Sequence, residues 1–399
     1  MAKKRRTVAL LIETSNAYAR GILEGIAEYQ RTRDQWSIFL PELERGAPPP
    51  RWLSSWKGDG VIARIETEEI AKAVSGLKVP TVDVSAARRV PRIPWVETND
   101  IKVADLAFDH LRERGFRHFA YCGPQGFNWA VWRGEQFKKR CHEHRLDCSI
   151  HWTEFQARNQ FLGSPGKKSP ESPLAQWLVG LPKPTGLFCA FDIQAQIVLD
   201  HCRNLGIRVP GQLAVVGVDN DSIVCNLAHP SITSVIPDAR GAGHWAARLL
   251  DDWMDKSPDR ITDGPPESMP DSVLLEPLGV EARQSTDVTA VDSPEIAAAI
   301  RFIREHACDG IDVSHLLEHN PLSRRKLEYQ FLEATGITPH EMITRVRMEK
   351  VRQLLQDTDL SLKQIADLCG FEHPEYMNVV FKRHYKITPG KFRKQQSIG

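Results

Sequence analysis

Ser361-Leu362-Lys363-Gln364-Ile365-Ala366-Asp367-Leu368-Cys369-Gly370 is the stretch whose reading decides how the C-terminal part of the chain folds. Ser361 and Gln364, three positions apart, form a capping box that fixes a helix start. Leu362, Ile365, Ala366 and Cys369 follow at helical spacing and give that helix one apolar face. Gly370 suits the left-handed position that ends a helix, and Pro374 suits the first turn of the next one. Met377, Val380, Phe381 and Tyr385 supply an inward stripe, which leaves Glu375, Asn378, Val379 and Lys382 facing out. A short support helix, a tight turn and a second helix with a free face make the geometry that enters a DNA major groove.

The pattern occurs twice. Phe331 and Phe381 are each followed six positions on by Ile-Thr-Pro, at 337–339 and 387–389. Eleven residues before each Phe stands a turn-former, Asn320 or Gly370, and four before each stands an apolar residue, Leu327 or Met377. In the first copy Asp312 is expected to cap a helix with Val313, Leu316 and Leu317 inward, and Asn320 to end it in a left-handed turn. Ser323 then caps a helix opened by Arg324, Arg325 and Lys326, which point outward. A helix from about Pro339 to Gln356, started by the Thr338/Glu341 capping box, joins the copies. Two such readers on one DNA face need a separation of about 34 Å, one helical turn. Residues 294–399 carry 16 basic and 14 acidic side chains, so phosphate binding must rest on the local excess from Lys363 to Lys394, seven basic against three acidic.

Residues 294–396 resemble the AraC-type DNA-binding domain, through Ile365–Phe371, Val380-Phe381-Lys382-Arg383 and Thr388-Pro389. The resemblance implies seven helices and, position by position, base-facing side chains at Arg325, Glu328 and Tyr329 in the first reader. In the second it implies Pro374, Glu375, Asn378 and Val379. Arg324, Lys382 and Arg383 complete the expected DNA-facing set. Arg can pair with guanine, Asn with adenine, and Glu can accept from cytosine.

Ahead of this lies a different pattern. Val8–Ile12, Ser37–Leu40, Gly60–Ala63, Thr81–Val84, Phe119–Cys122, Gly186–Ala190 and Leu213–Val218 read as strands. Tyr18–Gln30, Ile101–Arg114, Glu135–His144 and Gln194–Asn204 read as helices between them. The alternation predicts parallel sheets with helices on both faces, and the length suits two of them. Ligands of such folds sit past the carboxyl ends of strands. The loops there are polar: Glu13–Arg20, Phe191-Asp192 and Asp219-Asn220-Asp221, with Trp129, Trp132 and Arg133 opening the helix after Phe119–Cys122. Carboxylates that accept hydroxyl protons, an Arg that donates and indoles that stack on C–H faces suit a sugar pocket. Asp192 reads equally well as a helix cap.

Val215–Asn220, Pro230–Val235, Gly21–Ile26 and Trp95–Asp100 resemble the LacI-type effector domain, itself similar to periplasmic sugar-binding proteins. A LacI-type sensor followed by an AraC-type reader resembles a family of pentose-operon regulators over essentially the whole chain. That resemblance implies D-xylose as ligand, with Tyr18, Arg20, Arg133 and Asp219 touching the sugar; Asp192 and Trp132 join from loop position alone. The expected architecture is an α/β two-lobed periplasmic-binding-protein-like domain, 1–283, a linker, 284–293, and an all-α domain with two helix-turn-helix units, 294–399. The expected function is sugar-responsive, sequence-specific transcription regulation, activation rather than repression. Partners would be double-stranded operator DNA, a sugar, a second copy of the chain in a homodimer and RNA polymerase. The competing readings are a sugar-metabolising enzyme with a helical appendage and a sugar binder whose helical tail mediates assembly.

Several features set bounds. An apolar content of 41% suits a large buried core, and a net charge of +1 gives no strong bulk field. Eight scattered Cys without C-x-x-C predict buried thiols in a reducing cytosol, hence a cytoplasmic protein. No apolar run reaches membrane-span length. Gly241-Ala242-Gly243-His244-Trp245-Ala246 matches a dinucleotide fingerprint, but Pro237-Asp238 reads as a helix start, so the glycines fall within a helix and no cofactor is expected. Cys141, His144 and Cys148 lack a fourth ligand, so no metal is expected either. Asp34, Asp59 and Glu97 read as surface charge, and no phosphate loop, nucleophile elbow or H-E-x-x-H is present, so no catalytic residues are assigned.

Overall fold

The computed structural model describes residues 5–397 apart from 32, 34–35, 44–45, 155–171, 257–264, 266–269, 271, 289, 292 and 386. It divides into two compact units, Met1–Phe108 with His118–Thr286, and Asp109–Arg117 with Asp287–Gly399. Residues 157–173 and 258–270, whose polar sequence with Gly and Pro reads as loops, lie almost wholly outside the described residues, as does Asp34.

The first unit runs β1 Thr7–Leu11, α1 Ala17–Arg31, β2 Ser37–Phe39, β3 Gly60–Ala63, α2 Glu68–Ser75, β4 Thr81–Asp83, β5 Trp95–Thr98 and α3 Asp100–Arg112. It continues with β6 His118–Pro124, α4 Asn128–Glu143, β7 Cys148–Thr153, α5 Pro173–Gly180, β8 Thr185–Cys189 and α6 Asp192–Leu205. Then come β9 Leu213–Val218, α7 Ser222–Leu227, β10 Thr233–Ile236, α8 Ala239–Lys256, β11 Ser272–Leu275 and β12 Gly279–Glu281. The strands form two six-stranded sheets, ordered β11-β5-β4-β3-β1-β2 and β12-β10-β9-β8-β6-β7. Every described pairing is parallel except β10 with β12. β3, β4, β8 and β9 are buried at every residue, which is why a strand such as Leu213–Val218 reads as an unbroken apolar run.

The chain changes sheet more than once, so both lobes are interlaced. After β10 in the second sheet, α8 packs back on the first, where Ala242, Ala246 and Leu250 join Ile22, Ile26 and Tyr29 of α1 in one core. Here the decoy glycines find their use. A Cβ on Gly243 would overlap the Ile22 carbonyl, and one on Gly25 the Arg240 carbonyl, so these positions let α1 and α8 touch backbone to backbone. The helix after β6 starts at Asn128, seven residues earlier than Glu135, because Trp129, Ala130, Arg133 and Gly134 are already on its buried face. Residues 284–286, expected in the linker, form a 3-10 turn of the first unit, where Ser285 Oγ donates to Val215 O at 2.6 Å.

The second unit contains α9 Pro294–His306, α10 Val313–Glu318, α11 Arg324–Thr335, α12 Pro339–Asp357, α13 Leu362–Leu368, α14 Pro374–Tyr385 and α15 Pro389–Ser397. Two cores fill it: one joins Leu316, Leu327 and Phe331 to Ile296, Ile300 and Ile303, the other Ile365, Met377 and Phe381 to Phe371 and Phe392. α12 serves both, with Met342 and Ile343 in the first and Met348, Val351 and Leu355 in the second. Both expected capping boxes are formed, Thr338/Glu341 and Ser361/Gln364, and Gly370 takes the left-handed conformation, φ 71°. Asn320 does not. Its side chain makes a tighter local bond instead, accepting from Leu322 N at 3.1 Å while its amide donates to Glu295 O at 2.8 Å. Ser323 occupies the N-cap of α11 without a side-chain bond. Within this unit Arg112 donates to the carbonyls of Glu333 and Ala334, and Glu113 pairs with Arg345.

Candidate functional site

The strand ends of both sheets meet at one cleft in the first unit. Its wall takes Tyr18 from the start of α1, Arg64 after β3, Ser85 and Ala86 after β4, and Thr98 and Asp100 around the end of β5. From the other lobe come Trp129 and Arg133 on α4, Phe191 after β8 and Asp219 after β9. Asn16, Val84 and Glu97 complete it.

The charged groups of the wall are buried and held. Arg133 Nε donates to Asp100 Oδ1 at 2.6 Å, and its Nη1 donates to Ala190 O at 2.6 Å. Burial pushes the Asp100 carboxyl up, and the Arg133 guanidinium opposes that shift. Arg64 pairs with Glu13 and, at 2.6 Å, with Glu66, while its guanidinium lies 5.5 Å from the Tyr18 ring. Burial drives the Tyr18 hydroxyl up to about 12, against a hydrogen bond with Thr98 and the charge of Arg64, so it stays a neutral phenol that can donate and accept. Glu97, read from the sequence as surface charge, is 3% exposed. One of its oxygens accepts from Arg88, and Oε2 has no hydrogen-bond partner among the described residues. Asp59, by contrast, accepts from Thr7 N at 2.6 Å where β1 and β3 begin, at the opposite end of the strands from the cleft.

Asp219 reaches the wall through unusual backbone. Asp219 and Asn220 both have positive φ, 102° and 48°, a conformation side chains other than glycine adopt at a cost of about 1–3 kcal/mol each. The turn is fixed from behind: Asp219 N donates to Val235 O at 3.1 Å, Asn220 N to Ser234 Oγ at 3.0 Å, and Arg283 to Asn220 Oδ1 at 2.8 Å. Asp192 is part of the same support. It is the first residue of α6, and it accepts from Ser234 Oγ at 2.6 Å and Asp221 N at 2.8 Å. Burial, then the nearby Asp219 charge, push its carboxyl up to about 8.

Of the six residues singled out for sugar contact, Tyr18, Arg133 and Asp219 line the cleft. Asp192 lies behind the wall, and its neighbour Phe191 faces the cavity. Trp132 packs on Arg88, 4.8 Å from ring to guanidinium, in a stack that continues to Trp95 at 3.8 Å. Arg20 spans the mouth: it donates to Thr14 O at 3.2 Å and pairs with Asp221 across the cleft at 3.2 Å. Asn128 also crosses, donating to Ala86 O at 3.1 Å. Arg64, Glu97 and Asp100 were not assigned from the sequence. Each follows or ends an apolar strand, which was the available signal.

The second unit presents two exposed helix faces. On α11, Leu327 and Phe331 are wholly buried while Arg324, Arg325 and Tyr329 are exposed, and Arg324 pairs with Glu328 at 3.0 Å. On α14, Met377 and Phe381 are wholly buried while Glu375, Val379, Lys382 and Arg383 are exposed; Pro374 and Asn378 are half-buried at the edge of that face. Among the described residues no helix is long and apolar enough to cross a membrane.

Comparison with known proteins agrees with both halves. Residues 7–101 match the XylR N-terminal domain, 108–286 a periplasmic binding protein-like domain and 316–395 a helix-turn-helix domain. The xylose operon regulatory protein of Escherichia coli strain K12 is 33% identical over 402 residues, 98% of each chain. That of Haemophilus influenzae is 28% identical, covering 98% of this chain and 99% of the relative. A solved structure of a xylose-binding transcription activator superposes with a TM-score of 0.61 at 33% identity, covering 99% of both chains. This chain belongs to the family of xylose operon regulatory proteins, transcription regulators that join a periplasmic-binding-like domain to a C-terminal helix-turn-helix domain.

Proposed function

We propose that the cleft binds an uncharged pentose, D-xylose, and that the bound sugar controls DNA reading by the helical domain so as to activate genes of pentose use. The observation that carries the ligand class is the charge balance of the wall. Both wall guanidiniums already have carboxylate partners, Arg64 with Glu13 and Glu66 and Arg133 with Asp100. A sugar phosphate or acid would find no cation left to neutralise it, whereas hydroxyls find donors and acceptors in Tyr18, Arg64, Glu97, Arg133 and Asp219, with Trp129 and Phe191 for the C–H faces. Arg20, Trp132 and Asp192 would hold the lobes and the wall in place around it. The sugar can shift the protein only through its preference for the closed cleft.

Residues 1–286 would sense, 287–293 connect and 294–399 read DNA, the connection starting later than expected because Ser285 is bonded into the first unit. Arg324, Arg325, Glu328 and Tyr329 form the first reading surface, and Pro374, Glu375, Asn378, Val379, Lys382 and Arg383 the second. The regulator works in the cytoplasm as a homodimer, so that two reading domains meet repeated half-sites, and it contacts RNA polymerase once bound. Calorimetry against a panel of pentoses, hexoses and pentose phosphates tests the ligand. Binding of D-xylose above the others supports the reading, and preference for a phosphate overturns it. Gel shift of the cognate operator tests the coupling, which fails if saturating sugar changes nothing.

A further inference from the structure

Cys308 sits in the 3-10 turn Ala307–Asp309 after α9, and Cys369 is the C-cap of α13, at the turn of the second helix-turn-helix unit. Though remote in sequence, the two turns meet: a Cβ on Gly370, the residue after Cys369, would lie 2.8 Å from the Cys308 carbonyl oxygen. The two thiols lie close enough that each shifts the proton affinity of the other. Arg347 of α12 brackets the first of them, its Nε donating to Ala307 O at 2.7 Å and its Nη2 to Ile311 O at 2.7 Å. Cys308 is half-buried and so within reach of a small molecule, while Cys369 is wholly buried behind it.

We propose that Cys308 and Cys369 form a peroxide-reactive thiol pair, a modification site inside the DNA-reading unit that closes to a disulfide. A reactive cysteine needs cations or a donor beside it and access to solvent. Cys308 has all three. Contact with Cys369, and then the charges of Arg347 and Lys350, bring its thiol down to about 7 against the effect of burial. The same contact pushes the Cys369 thiol up, so it keeps its proton and serves as the second reactant.

The reaction balances with one hydroperoxide. The Cys308 thiolate attacks an oxygen, the O–O bond breaks, and the departing alkoxide or hydroxide takes up a proton. Cys308, oxidised by two electrons, becomes a sulfenic acid. The Cys369 sulfur then attacks the Cys308 sulfur as its thiol proton passes to the leaving hydroxide. The S–S bond forms, the S–O bond breaks and water leaves. Two thiols and one hydroperoxide thus give a disulfide, an alcohol or water, and a further water.

The first unit holds an internal control. Cys141 and Cys148 also lie close together, Cys141 wholly buried and Cys148 half-buried, and contact with Cys148, then burial, pushes the Cys141 thiol up.

The test treats the reduced full-length protein with hydrogen peroxide, blocks remaining thiols under denaturing conditions and maps the peptides. The expected result is a Cys308–Cys369 cross-link formed at least about ten times faster than any loss of Cys141. Cys369→Ser should trap a sulfenic acid at residue 308 that a cyclic diketone labels. Lys350→Gln, an exposed change, should slow the reaction a few-fold. Retention of both free thiols in the wild-type chain while another cysteine is consumed, or no sulfenic acid in Cys369→Ser, would overturn the proposal. The wild-type measurement stands without any variant, so poor folding of a mutant cannot mask the outcome.

Discussion

The cleft and the reader helices use polar side chains in opposite ways. In the cleft Arg64, Asp100 and Arg133 are only 7%, 6% and 6% exposed, each fixed by a partner from another element. On the readers Tyr329 and Val379 are 68% and 65% exposed, and Arg325 stands in solvent. Groups that select a small ligand must be positioned before it arrives, whereas groups that read base edges can be ordered by the DNA. The cleft therefore ties function to stability, and the readers separate them.

The largest effect should come from splitting that tie. Asp100→Ala leaves the Arg133 guanidinium buried without its carboxylate. Losing one partner of such a pair costs about 3–5 kcal/mol, so urea unfolding of the variant should show that loss together with loss of sugar binding. A variant of wild-type stability would show that the pair is not structurally required. Asp219→Ala should be gentler on the fold, because the turn it occupies is held by the bond from its own N–H to Val235 O and by Arg283 at Asn220. Removing one charged acceptor for hydroxyls costs about 1.5–3 kcal/mol of binding, roughly 10- to 150-fold in Kd. Titration calorimetry reads this directly.

The readers should behave in the reverse manner. Arg325→Ala and Asn378→Ala are each expected to weaken operator binding by about 1–3 kcal/mol and to relax base preference at one position. Sugar affinity should not change. Operator titrations at fixed salt, with sugar calorimetry on the same samples, would break the comparison if either variant lost both.

The same contrast explains what could be read in advance. The readers were legible because their signals are local: Ser361 with Gln364, Thr338 with Glu341, and Gly370 at the turn all lie within one helix end. Leu213–Val218 was legible because a strand buried on both faces has to be apolar throughout. The cleft was half legible. The family resemblance pointed to Tyr18, Arg133 and Asp219, while loop position alone offered Asp192 and Trp132, which do not line the cavity; whether Phe191 or Asp192 faces it depends on Ser234 and Asp221 behind it. Arg64, Glu97 and Asp100 gave no local sign of burial, since Glu13, Arg88 and Arg133, their partners, come from elsewhere. Asn320 failed as a left-handed turn because its amide had a better use at Glu295 O.

Glu97 offers a pH handle on the cleft alone. Burial, opposed by the Arg88 hydrogen bond, pushes its carboxyl up to about 7. With a folded value above the unfolded one, its stabilising contribution is complete at pH below the ordinary carboxylate range and is lost as pH rises toward and through about 7. A sugar hydroxyl donating to Oε2 favours the ionised form, so affinity should rise over that window. Each unit by which the ligand lowers the value is worth about ten-fold in Kd. Calorimetry across that range should show the rise in wild type and a shallower one in Glu97→Gln, where Asp192 behind the wall still titrates at about 8. A flat wild-type profile would remove Glu97 from the hydroxyl set.

The smallest effect belongs to Arg20, and it decides between two roles. The Arg20–Asp221 pair closes the mouth, with Arg20 at 40% side-chain exposure. An ion pair so open to solvent is worth about 0–1 kcal/mol and weakens with salt. Asp221 is the wrong partner to remove, since its carboxylate also accepts from Ile223 N and Val224 N at the start of α7. Arg20→Ala leaves that cap intact. If Arg20 only latches the lobes, the variant should bind sugar no more than about five-fold more weakly, and the difference should shrink as salt is raised. If Arg20 touches the sugar in a further-closed cleft, the loss should match that of Asp219→Ala and persist at high salt.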